Sequence, residues 1–169
     1  QPSSEPEAES ALKARLFHIG DNAELVRGTV GCETNNYGTI FDGIFQGKVA
    51  NFRTISNGTF QREVNNYRTI SGGTFQGKVE NHGAISDGAF QGTVENYQTI
   101  SGGTFQERVG NWAGGTISGG TFLGAVDNYD DGTISGGYFV TMPEGSDTGF
   151  AAVSDQADRP FHVPVNGDF

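Results

Sequence analysis

The residues of this chain whose types could do chemistry fall into few groups. Three histidines, His18, His82 and His162, stand far apart, and none pairs with another ligand at a metal-binding spacing. The densest acidic run, Asp127-Asn128-Tyr129-Asp130-Asp131-Gly132, echoes a calcium loop. Tyr129 takes its third position, however, and Tyr138 stands where the closing glutamate belongs, so a solvated corner is the simpler reading. The remaining carboxylates are too scattered to line a glycosidase cleft. No metal, no cofactor and no catalytic residue is expected, and the chain is expected not to be an enzyme. What remains is two sets of side chains in columns. Thr54 and Ser56, Thr69 and Ser71, Thr99 and Ser101, Thr116 and Ser118, and Thr133 and Ser135 flank an isoleucine each time. Tyr37, Phe52, Tyr67, His82, Tyr97, Trp112 and Tyr129 recur in the same way, with His82 as a substitute for tyrosine. Such columns furnish a binding face, not a reaction.

A repeat must position them. Thr69 to Gly83 reads Thr-Ile-Ser-Gly-Gly-Thr-Phe-Gln-Gly-Lys-Val-Glu-Asn-His-Gly, and Ala84 begins it again. Coils open at Glu24, Thr39, Thr54, Thr69, Ala84, Thr99, Thr116 and Thr133, in steps of 15 residues with two final steps of 17. The extra residues fall at Ala113-Gly114-Gly115 and Asp130-Asp131-Gly132, which must be corners, since a strand cannot absorb them without losing register. Self-similarity at a short period marks a solenoid. Three columns are apolar: Ile40 to Ile134, Phe45 to Phe139 and Val49 to Val126, each set between polar neighbours as in Thr69-Ile70-Ser71. That pattern predicts short strands with the central residue inward and both neighbours outward. Pairs such as Asn57-Gly58 and Gly72-Gly73 supply one bend. Asn36, Asn51, Asn66, Asn81, Asn96, Asn111 and Asn128 supply another, predicted to stack as an internal amide ladder rather than as ligand contacts. The fold class is therefore all-β: a triangular parallel β-helix of about eight coils and ~38 Å length at ~4.8 Å per coil.

Three segments follow: a helical cap over residues 1–23, the repeats over 24–143 and a C-terminal cap over 144–169. Ser4-Glu5-Pro6-Glu7 reads as a helix start, and Ala8, Leu12 and Leu16 form an apolar stripe. Pro143 replaces the inward valine, and Phe161, Val163 and Val165 alternate like a last short strand. A net charge of −10 argues against nucleic-acid partners and anionic membranes. Lone Cys32 excludes a cysteine-stapled scaffold, and no apolar run is long enough to span a bilayer. The chain begins at Gln1, as a processed mature form or a cut piece would, and the former implies an extracellular or cell-surface location. Charge and the two caps point to a monomer.

The aromatic column, with Tyr67, Tyr97, Trp112 and Tyr129 at its centre, either points outward as a ribbon for sugars or a partner protein, or folds back to seal its corner. The Thr/Ser columns would form a flat grid suited to an extended, ordered ligand. The unit Thr-Ile-Ser-Gly-Gly-Thr-Phe-Gln-Gly resembles the glycine-rich repeats of bacterial surface proteins and adhesins, a resemblance covering Glu24 to Pro143. It implies an extracellular rod that binds a glycan, a host or another cell-surface component. The coil is also similar to those of insect β-helical antifreeze proteins, which implies ice as ligand, although Thr-x-Ser here replaces Thr-x-Thr and no disulfide set is present. A third resemblance, to acidic pentapeptide-repeat proteins that imitate DNA, fails to give two regular acidic rows.

Overall fold

The computed structural model describes residues 16–141, residues 143–145 and the strand Phe161–Val163. Over residues 16–145 the described chain winds into three parallel sheets, and each inner strand pairs with its counterpart one coil before and one coil after. The isoleucine sheet runs from Glu24–Leu25 through Thr69–Ile70 to Thr133–Ile134, eight strands in all. The phenylalanine sheet runs from Thr29–Val30 to Gly137–Phe139. The asparagine sheet runs from Phe17–Ile19 to Glu144–Gly145 in nine strands.

Register explains the core. Ile70 pairs with Ile55 and Ile85, Phe75 with Phe60 and Phe90, and Val79 with Val64 and Val94. Each column thus becomes a continuous buried stack. The phenylalanine rings from Phe45 to Phe139 lie nearly parallel, with centroids 4.7–4.9 Å apart. That spacing is the coil rise itself, so the backbone repeat and ring packing reinforce one another. The Gly corner behaves as its sequence predicts: Gly43, Gly58, Gly73, Gly88, Gly103, Gly120 and Gly137 have φ between +102° and +138°. A Cβ at Gly73 would also sit 3.1 Å from the Gly58 carbonyl oxygen.

The third side departs from the expected pattern. Its strand is Val79–Asn81, with both ends inward and Glu80 outward, instead of a strand centred on the valine. The asparagine is thus the last residue of a strand and not part of a bend. Its amide can face inward because the neighbouring coil supplies its partners.

The N-terminal expectation is also corrected where it can be examined. Most of the helix predicted over residues 1–23 lies outside the described residues, but Phe17–Ile19 is a strand. It pairs in register with Thr34–Asn36, placing Ile19 in the asparagine column, 4% exposed. The alternation of Phe17, His18 and Ile19 prevails over the helical stripe because the edge of the first full coil offers unpaired backbone groups; the Phe17 N–H donates to Glu33 O at 2.8 Å. At the other end Pro143 is buried next to Val126 in the valine column, as expected. Phe161–Val163 pairs antiparallel with Gly137–Phe139, the only antiparallel pairing among the described strands, and covers that edge of the phenylalanine sheet.

Candidate functional site

The hydroxyl columns share one face, the outside of the isoleucine sheet. Parallel register sets Thr54 beside Thr69, and Thr99 beside Thr116, followed by Thr133. Ala84 interrupts the row between Thr69 and Thr99. Ser56, Ser71, Ser101, Ser118 and Ser135 run alongside, just beyond the strand ends. Their hydroxyls are partly engaged: Ser71 Oγ donates to Ile55 O at 3.3 Å, Ser101 Oγ to Ile85 O at 3.3 Å and Ser118 Oγ to Ile100 O at 3.5 Å. At 3.3–3.5 Å these are long bonds, and each serine oxygen keeps acceptor capacity for an outside partner. Toward the first coils the serine row turns apolar, with exposed Val26 and Phe41, while the threonine row continues through Thr39 and ends on Glu24. Paired Thr and Ser hydroxyls therefore begin at Thr54 and Ser56.

The aromatic column forms a continuous stack. Successive centroids from His18 through Tyr37, Phe52, Tyr67, His82, Tyr97 and Trp112 to Tyr129 are separated by 4.2–6.4 Å, and no interplanar angle exceeds 14°. Each inner ring has both faces turned to its neighbours. Tyr67, at 47% exposure, shows solvent its edge. The column therefore combines features of both placements read from sequence: it lines its corner, and its rims remain half-exposed. Stacking of a sugar on the face of Tyr67, Tyr97 or Trp112 would require opening the column, whereas Tyr129, the last ring of the described stack, is covered by a ring on one face.

The asparagine ladder is internal. Each Nδ2 donates to the Oδ1 of the next coil at 2.7–2.8 Å, from Asn36 to Asn128. All seven side chains are at most 1% exposed, so the ladder is a structural spine and not a ligand row. It ends at Ile19 on one side and Gly145 on the other, each paired in register with the terminal asparagine.

The outside of the asparagine sheet carries the charge. Glu80 and Glu95 lie side by side in register, and Lys78 Nζ bridges them at 2.8 and 3.1 Å. Hydrogen bonding to Glu80 raises the Lys78 ammonium pKa well above the ordinary lysine range; partial burial opposes this and Glu95 adds to it. The sign follows from linkage: the contribution is complete at and below the ordinary lysine pKa and is lost only as pH rises through the folded value. Neutral pH therefore leaves it intact. Burial, then the hydrogen bond to Glu95, raises the Tyr97 hydroxyl pKa. Arg108 pairs with Asp127 and also donates to the Tyr129 hydroxyl, which engages one acid of the calcium-like run. No group of three or more metal-ligating His, Cys, Asp or Glu side chains gathers among the described residues. Glu80, Glu95 and Asp127 on this face are each paired with a cation.

Lys78→Met should cost about 1 kcal/mol at low salt, discounted for its exposure, because it leaves Glu80 and Glu95 opposed without a counter-ion. Urea titrations at low salt and at 1 M salt check this. The penalty should shrink at high salt, and an equal penalty at both would refute an electrostatic origin.

Sequence reading misses one feature of this face. The outward column reads Asn65, Glu80, Glu95, Gly110, Asp127, so one coil lacks a side chain. Beside that gap lies a hollow of about 130 Å³, lined by Thr93, Glu95, Arg108, Gly110, Trp112 and Tyr129.

Coil geometry and stacked register together define a parallel β-solenoid repeat protein. Comparison with protein families, curated proteins and solved structures finds no match to the chain.

Proposed function

We propose that this chain is a non-enzymatic repeat module of the cell surface or extracellular space that adheres through a flat β-helix face to a glycan or another surface component. The observation that carries the reading is the in-register Thr/Ser array on the isoleucine sheet, from Thr54 and Ser56 to Thr133 and Ser135. A surface repeated at every coil gives a regular polymer several equivalent contacts at once, and avidity makes weak contacts sufficient. Because both faces of every inner ring of the aromatic column are occupied, the hydroxyl face is the better candidate for contact. A monomeric rod suffices for this role, with no metal or cofactor.

Ice binding is the second reading, favoured by the pairing of Thr and Ser columns on one sheet. The break at Ala84 and the serines' bonds to the backbone weigh toward adhesion.

The test is a glycan array probed with wild type and with the double substitution Thr69→Tyr, Thr99→Tyr. Wild type should be retained on a subset of glycans, and the variant should bind at least tenfold more weakly while melting at the same temperature. Retention of neither protein on any glycan would defeat the glycan-adhesion reading. Faceted ice crystals in dilute wild type, lost in the variant, would instead establish ice as the ligand.

A further inference from the structure

We infer that the hollow beside Gly110 is a binding subsite for one neutral, hydroxyl-rich ring, a single sugar residue. This rests on the glycan-adhesion reading and names a second, pocket-like contact for it. Gly110 is the residue that makes room, because its neighbours in the same outward column, Glu95 and Asp127, carry side chains. A Cβ at Gly110 would lie 3.1 Å from Trp112 Nε1 and 3.6 Å from Tyr129 Cε2, so even one methyl would press on the floor of the hollow. A hollow of about 130 Å³ has room for about ten waters, at roughly 10–15 Å³ each.

The walls select for neutrality. On one side Glu95 is already engaged by Lys78 and the Tyr97 hydroxyl. On the other Arg108 is engaged by Asp127 and the Tyr129 hydroxyl. An anion would face Glu95 and a cation would face Arg108, whereas a polyol can donate to the carboxylate and accept from the guanidinium or from Thr93. The floor adds one further demand. Trp112 Nε1–H is buried without a hydrogen-bond partner among the described residues, a donor lying against the backbone where Gly110 leaves its gap. The stack is looser on the Tyr97 side of Trp112, with centroids 6.2 Å apart against 4.8 Å for His82 and Tyr97, and tight on the Tyr129 side at 4.2 Å. Small adjustments of the indole can therefore bring that N–H toward a hydroxyl oxygen.

Trp112 is the sole tryptophan of the chain, so its fluorescence reports this site alone. The full chain is titrated with neutral methyl pyranosides, with N-acetylneuraminic acid as the anionic probe and with glucosamine as the cationic one. At least one neutral pyranoside should shift Trp112 emission saturably, and the charged sugars should bind at least tenfold more weakly. Gly110→Ser should abolish the response, and Glu95→Gln, which conserves shape, should weaken it about tenfold without lowering the melting temperature. A silent Trp112 with every neutral sugar, a response to the charged probes alone, or an unchanged titration in Glu95→Gln would overturn the subsite. Thr69→Tyr, Thr99→Tyr keeps the two proposals apart. It should lose array binding yet retain the Trp112 response, whereas array binding beside a silent Trp112 sinks the subsite and spares the hydroxyl face.

Discussion

Replacing Asn81 with alanine is expected to destabilise the rod by about 4 kcal/mol, more than any surface change, because an unmade buried hydrogen bond costs roughly 1–3 kcal/mol for each stranded group. The side chain is 0% exposed. Its Nδ2 donates to Asn96 Oδ1 at 2.8 Å, to Gly83 O at 2.9 Å and to Thr99 O at 3.1 Å, while its Oδ1 accepts from Asn66 Nδ2 at 2.7 Å. Oδ1 also accepts from the Gly83 N–H at 3.3 Å, so alanine removes five bonds together, and water cannot replace them inside the ladder. Asn81→Asp sharpens the test. A carboxylate cannot donate to Asn96 Oδ1, and burial would raise its pKa above the unfolded value of ~3.9. Stability of that variant should be best below about pH 4 and should fall as pH rises through the folded pKa. Urea midpoints at pH 3.5 and pH 7 measure the sign. A variant equally stable at both, or an alanine variant within 1 kcal/mol of wild type, would contradict the ladder as a spine.

Phe75→Ala should cost about 4 kcal/mol, within the roughly 3–5 kcal/mol typical of buried Phe→Ala changes. The ring is fully buried, with neighbouring centroids at 4.8 Å to Phe60 and 4.7 Å to Phe90. Both neighbours lose a stacking partner, and the paired backbones on either side hinder collapse of the void. Gln76, exposed on the adjacent position, is the control, and Gln76→Ala should change stability by less than about 0.5 kcal/mol. Paired denaturant titrations give the ratio, and comparable losses would mean that the stack is not the main apolar support. Since each coil touches chiefly its two neighbours, the void at Phe75 should also reduce cooperativity, seen as a shallower transition.

How much of this was legible in the sequence follows from which contacts repeat. Ile70, Phe75 and Val79 could be placed inside because their types return at fixed steps, and Asn81 could be put in a ladder for the same reason. The direction of Asn81 could not be read as that of a strand residue, because an inward polar side chain departs from the usual alternation unless its partners are already known. Phe17–Ile19 was hidden for a related reason. Three residues do not show a period, and the helical spacing of Ala8, Leu12 and Leu16 competed for the same segment. In the candidate faces, Thr69 and Ser71 were legible as columns, but the bond from Ser71 Oγ to Ile55 O depends on geometry between coils. The ring column left two placements open, and coil spacing decides how its faces are used. Gly110 carried no signal at all, since a missing side chain is read as a gap only once its neighbours are seen to stand in line.

The ladder's end residues have a consequence for how such a molecule can change in length. Ile19 and Gly145 stop a chain of amides whose inner links are interchangeable, since Asn66, Asn81 and Asn96 each hand on a hydrogen bond in the same way. A duplication or loss of one whole unit would leave every junction chemically familiar, whereas gain or loss of a few residues is tolerable only where Ala113-Gly114-Gly115 and Asp130-Asp131-Gly132 already bulge. Reach can thus be adjusted in discrete increments by recombination, with both termini left untouched.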